Sequence, residues 1–370
     1  MSTSPPAPHI AETIPDAAPA RGYWSEVWLR FRRRRLAMLA LVYIIFLGLV
    51  ALFAPAIAGT KPVVCKYKGE IYFPALGYFK REWENPVFYR DRFRREYPNN
   101  LQEKDPESWA IWPLVYQDPY RRVREGEWQD RPGNPSGNQG NPNEINLFGT
   151  DSYGVDVFAQ MVHGTTIALL VGFVSMGIAG TIGIIVGALA GYLGGWVDIV
   201  CSRAIEVVLC VPALVLILAI IAIIEKPTIW HMMAVLGCTR WPDIARLARA
   251  EFIRLRSADF VTAARAIGVG RVRIMFRYIL PNALAPVLVP ITFGIAGAIL
   301  IESGLSFLGF GAPPPNPSWG TLLNSGRANL QLWWLIVFPG AAIFLAVLAY
   351  NLVGEGLQEA TDPRLRSAES

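Results

Sequence analysis

Charge is what this 370-residue chain has least of: 17% of its residues are charged, 53% are hydrophobic, and its mean hydropathy is +0.33. Soluble domains carry about a quarter charged residues, so this deficit points to lipid as the solvent. No G-x-x-x-x-G-K-[ST] loop occurs, so the chain has no phosphate cradle and is not itself an ATPase. HExxH and CxxC pairs are missing, His163 and His231 stand alone as packed or interfacial residues, and no carboxylate pair reads as acid and base. That excludes hydrolytic and metal catalysis by the common routes. The four cysteines, Cys65, Cys201, Cys210 and Cys238, are too scattered for a disulfide framework or a zinc site. Three of them stand in apolar surroundings, where a small buried thiol is the plain expectation. A net charge of +5 would suit nucleic acid, but the apolar runs favour a lipid partner and no nucleic acid. No cleavable signal peptide is evident, since the first apolar stretch is long enough to stay as an anchor.

Long apolar runs are what the chain does have. A helix needs about 20 apolar residues to span a bilayer core. Leu36–Ile57, Ile167–Leu193, Ala204–Ile224, Asn282–Ile301 and Leu332–Val353 qualify. Arg30 and Arg32–Arg35 before the first span place the N-terminus inside by the positive-inside rule. The stretch Arg246–Arg277 holds eight arginines against Glu251 and Asp259, so it also belongs inside. Parity then demands a further crossing between Ile224 and Arg246. The candidate, IWHMMAVLGCTRWPDIA, is broken by Arg240 and Pro242 and crosses only if neighbouring helices cover it. Six spans follow, with both termini inside, in agreement with Arg364 and Arg366 in the tail. Residues up to about Ala20, rich in Pro and Ala, read as a disordered tail.

Residues 59–144 are of another kind. They hold 14 Lys and Arg against 13 Asp and Glu, with many aromatics, and read as a small folded extracytoplasmic module. KPVVCKYKGEIYF alternates as a strand or hairpin, and RPGNPSGNQGNPNE reads as a loop. The module is either a docking surface or a structural cap. Elsewhere, Arg203 and Glu206 are spaced for an i,i+3 ion pair, Glu302 at the outer end of the fifth span reads as similarly structural, and Pro212 predicts a kink. Gly183, Gly187 and Gly191, four apart, form a seam for close helix approach, within the chain or at a subunit interface.

SADFVTAARAIGVGRVRIMFRYILPNA, residues 257–283, interrupts the apolar pattern. Phe260, Ala263, Ala264 and Ile267 mark one face of a short helix. Gly268 stands where a left-handed stop needs glycine. Val272, Met275, Phe276 and Ile279 repeat the spacing, and Pro281 marks a turn into the fifth span. The expectation is a helix, a glycine corner and a second helix: a cytoplasmic docking knob, or an amphipathic hairpin on anionic headgroups.

This stretch resembles the EAA loop of ABC-importer permeases: Glu-Ala-Ala, three residues, Gly, nine residues, Ile, one residue, Leu-Pro. Ala263, Ala264, Gly268, Leu280 and Pro281 fall in register, while Thr262 stands in place of Glu and Tyr278 in place of Ile. LFGTDSYGVDVFAQMVHGTTIALLVG, VDIVCSRAIEVVLCVPAL, ESGLSFLGFGAPPPNPSWGTLLNSGR and DPRLR are similar to the dipeptide and oligopeptide permease branch. So is RRRLAMLALVYIIFL. The insert is similar to that of permeases associated with microcin C-type peptide uptake.

The resemblance implies an all-α polytopic membrane protein with six transmembrane helices of the type I ABC importer permease fold and an extracytoplasmic insert of mixed structure. Its parts would be a cytoplasmic tail (1–35), a first helix (36–57), the insert (58–150), a permease core (151–353) carrying the coupling loop 251–281, and a cytoplasmic tail (354–370). It also implies a non-catalytic subunit in a bacterial inner membrane. Partners would be a second homologous permease, two ATP-binding cassette subunits or one fused ATPase, an extracytoplasmic solute-binding protein, and a peptide substrate. ATP and Mg would be bound by the partner ATPases, with no cofactor in this chain. The coupling loop would use Asp259, Thr262, Ala263, Ala264, Gly268, Leu280 and Pro281. APPPNPSWG, residues 312–320, would lie near the outer mouth or serve as a rigid connector, with Trp319 at the water–lipid boundary. Nickel or another small solute remains an alternative cargo. A channel or secondary transporter would need more charge deep in the spans than the chain has.

Overall fold

The computed structural model describes residues 23–78, 105–123, 140–225, 227–311 and 316–361. The N-terminal tail, most of RPGNPSGNQGNPNE, three prolines of APPPNPSWG, and Arg364 and Arg366 lie outside them. Helix α1 (Tyr23–Arg33) leads into α2 (Arg35–Leu52) and the single turn α3 (Ala54–Ile57). The membrane core comprises α4 (Val157–Leu193), α5 (Gly195–Leu209), α6 (Ala213–Ile223), α7 (Ile229–Leu255), the short α8 (Asp259–Ala266), α9 (Arg271–Phe307), α10 (Trp319–Ala328) and α11 (Trp334–Thr361).

Four of these, α2, α4, α9 and α11, are long and apolar enough to cross a membrane, and α5 with α6 make a fifth, bent by 80° at the break before Pro212. The sequence expectation of one kinked third span is thus sharpened to a broken one. The first span ends at Leu52 rather than Ile57, because the chain bends at Phe53 before restarting with Pro55. The second begins ten residues before Ile167: the Asp156 side chain caps α4, accepting from the Ala159 N–H at 2.7 Å. A helix of 37 residues is about 55 Å long, so α4 projects well beyond a bilayer core of about 30 Å.

Contacts fix the directions. A Cβ on Gly183 would meet Trp241 and Ile244, on Gly187 Ala245 and Ala248, and on Gly191 Arg249 and Phe252. Both sets of numbers climb together, so α4 and α7 run parallel. The chain must therefore recross between Leu193 and Ile229, which is the work of the bent α5–α6 pair. The segment inferred from parity is α7, which packs against α4, whose glycines let the two backbones approach. Helix α9 runs antiparallel to α4, with Ile291 against Gly180 and Ile295 against Gly172. The Arg34–Glu359 ion pair, 2.6 Å, brings the N-terminal end of α2 and the C-terminal end of α11 together.

The insert carries a three-stranded antiparallel sheet, order β2–β1–β3 (β1 Val64–Tyr67, β2 Glu70–Tyr72, β3 Trp109–Ile111). The β1–β2 hairpin turns through Lys68 and Gly69, both at positive φ (51° and 80°), the backbone that matches strand twist in a two-residue turn. The sheet buries Cys65, whose thiol burial pushes up to about 12. Cys201 is half-buried, and Cys210 and Cys238 are exposed, so the expectation of buried thiols fails for all three: they sit on outward helix faces that sequence context alone does not mark. The insert is bonded to the core. Thr60 donates its N–H to Tyr78 Oη (2.8 Å) and its hydroxyl to Asp118 (2.8 Å). His163 Nε2 meets the Ala58 carbonyl at 2.8 Å, with its ring 5.1 Å from that of Tyr78. Trp319 is buried, its indole N–H donating to the Met161 carbonyl (3.1 Å), and so is not at a water–lipid boundary. Its ring fills the space above Gly164, an inward position that its place after a proline-rich loop does not reveal.

Candidate functional site

The arginine-rich loop sits at the end of the bundle where α4, α7 and α9 meet. Helix α8 stops in a Schellman turn: Val269 N–H bonds the Ala264 carbonyl (3.0 Å) and Gly268 N–H that of Arg265 (3.0 Å). Gly268 has φ +79° and open space where a Cβ would go, so backbone conformation alone calls for glycine there.

The apolar face read from the spacing is divided between the bundle and the outside. Val261 and Ala264 are buried, and Phe260, Ala263 and Ile267 are exposed; likewise Ile274, Met275 and Ile279 are buried, and Val272 and Phe276 are exposed. Two apolar stripes lie side by side on each helix, and spacing does not tell which one meets the bundle. The core decides: Val261, Ala264, Ile274, Met275 and Ile279 join one cluster with Ala188, Tyr192, Phe252, Leu255 and Ala283. The other stripe, Phe260, Ile267, Val272 and Phe276, remains between 40% and 79% exposed on a rigid support.

Pro281 does not turn the chain. Helix α9 runs on from Arg271 through a π-helical stretch, Ile274–Ile279, into Leu280–Phe307. A proline in a regular helix clashes with the carbonyl four residues back; the wider π turn just before it relieves that conflict. Leu280 is half-buried against the cluster. Asp259 is exposed in the first turn of α8, where a negative charge suits the helix N-terminus. Thr262 is exposed too, its hydroxyl donating to the Ala258 carbonyl at 3.4 Å. It presents no carboxylate where the EAA pattern has one.

Polar ties hold the end of α7 to α5 and the loop to α4. Arg249 grips Asp198 with two hydrogen bonds, Nη2–Oδ2 being 2.7 Å. Arg256 donates to the Gly191 carbonyl (3.3 Å), and the Arg265 guanidinium lies 5.7 Å from the centre of the Tyr192 ring. Sequence reading missed Asp198, Arg249, Tyr192 and Val261, because a tie between residues 51 apart leaves no local signal.

Residues 183–367, half the chain, match the family described as binding-protein-dependent transport system inner membrane component, and residues 22–71 match the N-terminal TM domain of oligopeptide transport permease C. The chain belongs to this permease family. It is similar to the dipeptide transport system permease protein DppC of Alkalihalophilus pseudofirmus, 40% identical over 63% of this chain and 77% of that one. The peptidoglycan transport system permease protein YejE of Agrobacterium fabrum is 34% identical over 93% of this chain and 90% of its own, so that likeness includes the insert. DppC of Haemophilus influenzae is 31% identical over 92% and 95%.

In this permease the glycine seam is internal. Gly183, Gly187 and Gly191 all face α7 within 3 Å of a built Cβ, which settles the choice left open by their spacing in favour of intrachain packing. His231 caps α7 with Thr228, and Glu302 is buried, accepting from Ser306 at 2.7 Å. Arg203 and Glu206 form the i,i+3 pair that their spacing predicts.

Proposed function

We propose that this permease is one of two membrane subunits of an ATP-driven importer for peptides or peptide-like compounds in a bacterial cytoplasmic membrane. Both termini and the loop 251–281 face the cytoplasm, and the insert faces outward. The observation that carries the reading is the exposed stripe Phe260, Ile267, Val272 and Phe276 on a loop welded to α4, α7 and α9. An apolar patch next in sequence to exposed Arg271, Arg273 and Arg277, on a rigid support, is suited to a groove in a partner protein. That partner is an ATP-binding cassette subunit, which holds ATP and Mg and performs the hydrolysis. Its motion, delivered through α8, swings helices that are packed as one body. An extracytoplasmic binding protein delivers cargo. The peptide cargo is supported by the relatives, which are named as dipeptide and peptidoglycan transport permeases.

The test is purification of the tagged permease in gentle detergent with mass spectrometry of its companions. Recovery of a second permease and one or two ATPases is the expected result. A chain that came alone and moved solute in ATP-free liposomes would make the loop a lipid-surface hairpin and overturn the proposal.

A further inference from the structure

One cation at membrane depth has no counterion among the described residues. Arg240 stands near the middle of α7, about 18 Å from its Thr228 cap and about 13 Å deeper than the Asp198–Arg249 tie. It is half-buried. Its Nη2 would lie 3.5 Å from a Cβ placed on Gly297 of α9, so the guanidinium lies in the crevice between α7 and α9 that this glycine keeps open. The acids that face this region are engaged elsewhere. Asp243 is exposed and pairs with Arg246 at 3.3 Å, and Glu302 is enclosed by Ser306 and Ser303 further out along α9. Pro242, two residues on, lies buried on the far side of α7 and brings no charge to it.

A guanidinium stays charged at any pH proteins meet, so it cannot escape lipid by losing its proton. Intramembrane arginines accordingly face a watered path or a counter-charge brought by another molecule. Arg203 and Arg249 have such counter-charges; Arg240 has none among the described residues. We infer that Arg240 binds a carboxylate that reaches it along the transport path, the C-terminal carboxylate of the peptide cargo. The inference rests on the import reading above. The planar fork of arginine matches a carboxylate with two parallel hydrogen bonds, which makes it a reader of that group rather than a general attraction for charge.

The test uses the complete transport complex in proteoliposomes, with two peptides of equal measured affinity for the solute-binding protein, one with a free and one with an amidated C-terminus. The wild type is expected to import the free acid faster. Arg240→Gln should slow the free acid roughly tenfold, the worth of one charge-assisted contact, and leave the amide unchanged. Arg240→Lys should restore part of the preference. Equal slowing of both peptides, or an undiminished preference in Arg240→Gln, would overturn the assignment. Loss of the second permease from the purified Arg240→Gln complex would place the carboxylate on that partner and also overturn it. A wild-type complex that moved neither peptide would refute the import reading itself and, with it, the cargo assigned to Arg240.

Discussion

Gly187 of α4 lies so close to Ala245 of α7 that a Cβ added to it would sit 2.6 Å from the Ala245 carbonyl oxygen and from the Ala248 methyl. Backbone cannot retreat from that position without parting the two helices. The prediction is that Gly187→Leu abolishes recovery of monodisperse permease in size-exclusion chromatography, a loss of at least about 3 kcal/mol by overpacking. Gly177→Ala, on the same helix with nothing within 4 Å, should behave as wild type.

Asp198 and Arg249 tie α5 to α7 beside the loop, and both are partly exposed. The pair therefore contributes only about 1 kcal/mol or less to stability. Asp198→Ala should lower the thermal midpoint by no more than a few degrees, yet reduce uptake per ATP hydrolysed. Exchange of the two charges, Asp198→Arg with Arg249→Asp, should recover coupling; failure to do so would show that the loop does not depend on this tie.

Gly268 has a left-handed backbone and no steric limit. Gly268→Val should cost about 1–2 kcal/mol locally, loosen the corner between α8 and α9, and impair uptake while membrane insertion stays normal. Gly268→Asn, which tolerates that backbone, should retain more activity. Equal transport by both variants would contradict the account.

The exposed stripe makes a sharper claim. Ile267→Ser with Phe276→Ser removes apolar surface that lies outside the buried cluster, so stability should fall by no more than about 1 kcal/mol. Co-purification of an ATPase should fall strongly. Retention of the ATPase at wild-type levels would mean that the stripe is not the docking surface.

Asp156 caps α4 while burial pushes its carboxyl up to about 7, and its Oδ2 has no hydrogen-bond partner. The folded state therefore holds a proton that the unfolded chain releases. Its contribution to stability is complete below the ordinary carboxyl pKa near 4 and is lost as pH rises through 7. Asp156→Asn keeps the cap and removes the titration. Its thermal midpoint should exceed that of wild type at pH 8, and the gap should close by pH 4; a constant gap would contradict the linkage.

The glycine corner, the five apolar spans and the hairpin around Lys68–Gly69 were legible because each depends on a local rule: length against bilayer thickness, helical period, and the backbone freedom of glycine. Charge parity also pointed to the segment that forms α7, a long helix packed parallel to α4 although it lacks an apolar run. Sequence by itself thus determined the membrane class, the five apolar spans, and the existence of a basic two-helix loop with the register of a permease family.

Tertiary structure decided what depends on neighbours. Period 3.6 allowed two apolar stripes on α8, and only contact with Tyr192 and Phe252 showed that Val261 and Ala264 turn inward while Phe260 and Ile267 stay out. The four-residue glycine spacing specified a close approach without naming the partner; α7 supplied it. Trp319 carries the same indole in a core as at an interface, and its N–H found the Met161 carbonyl 158 residues away. Close approach and burial are properties of pairs of surfaces, and a chain read one residue at a time does not contain the second surface.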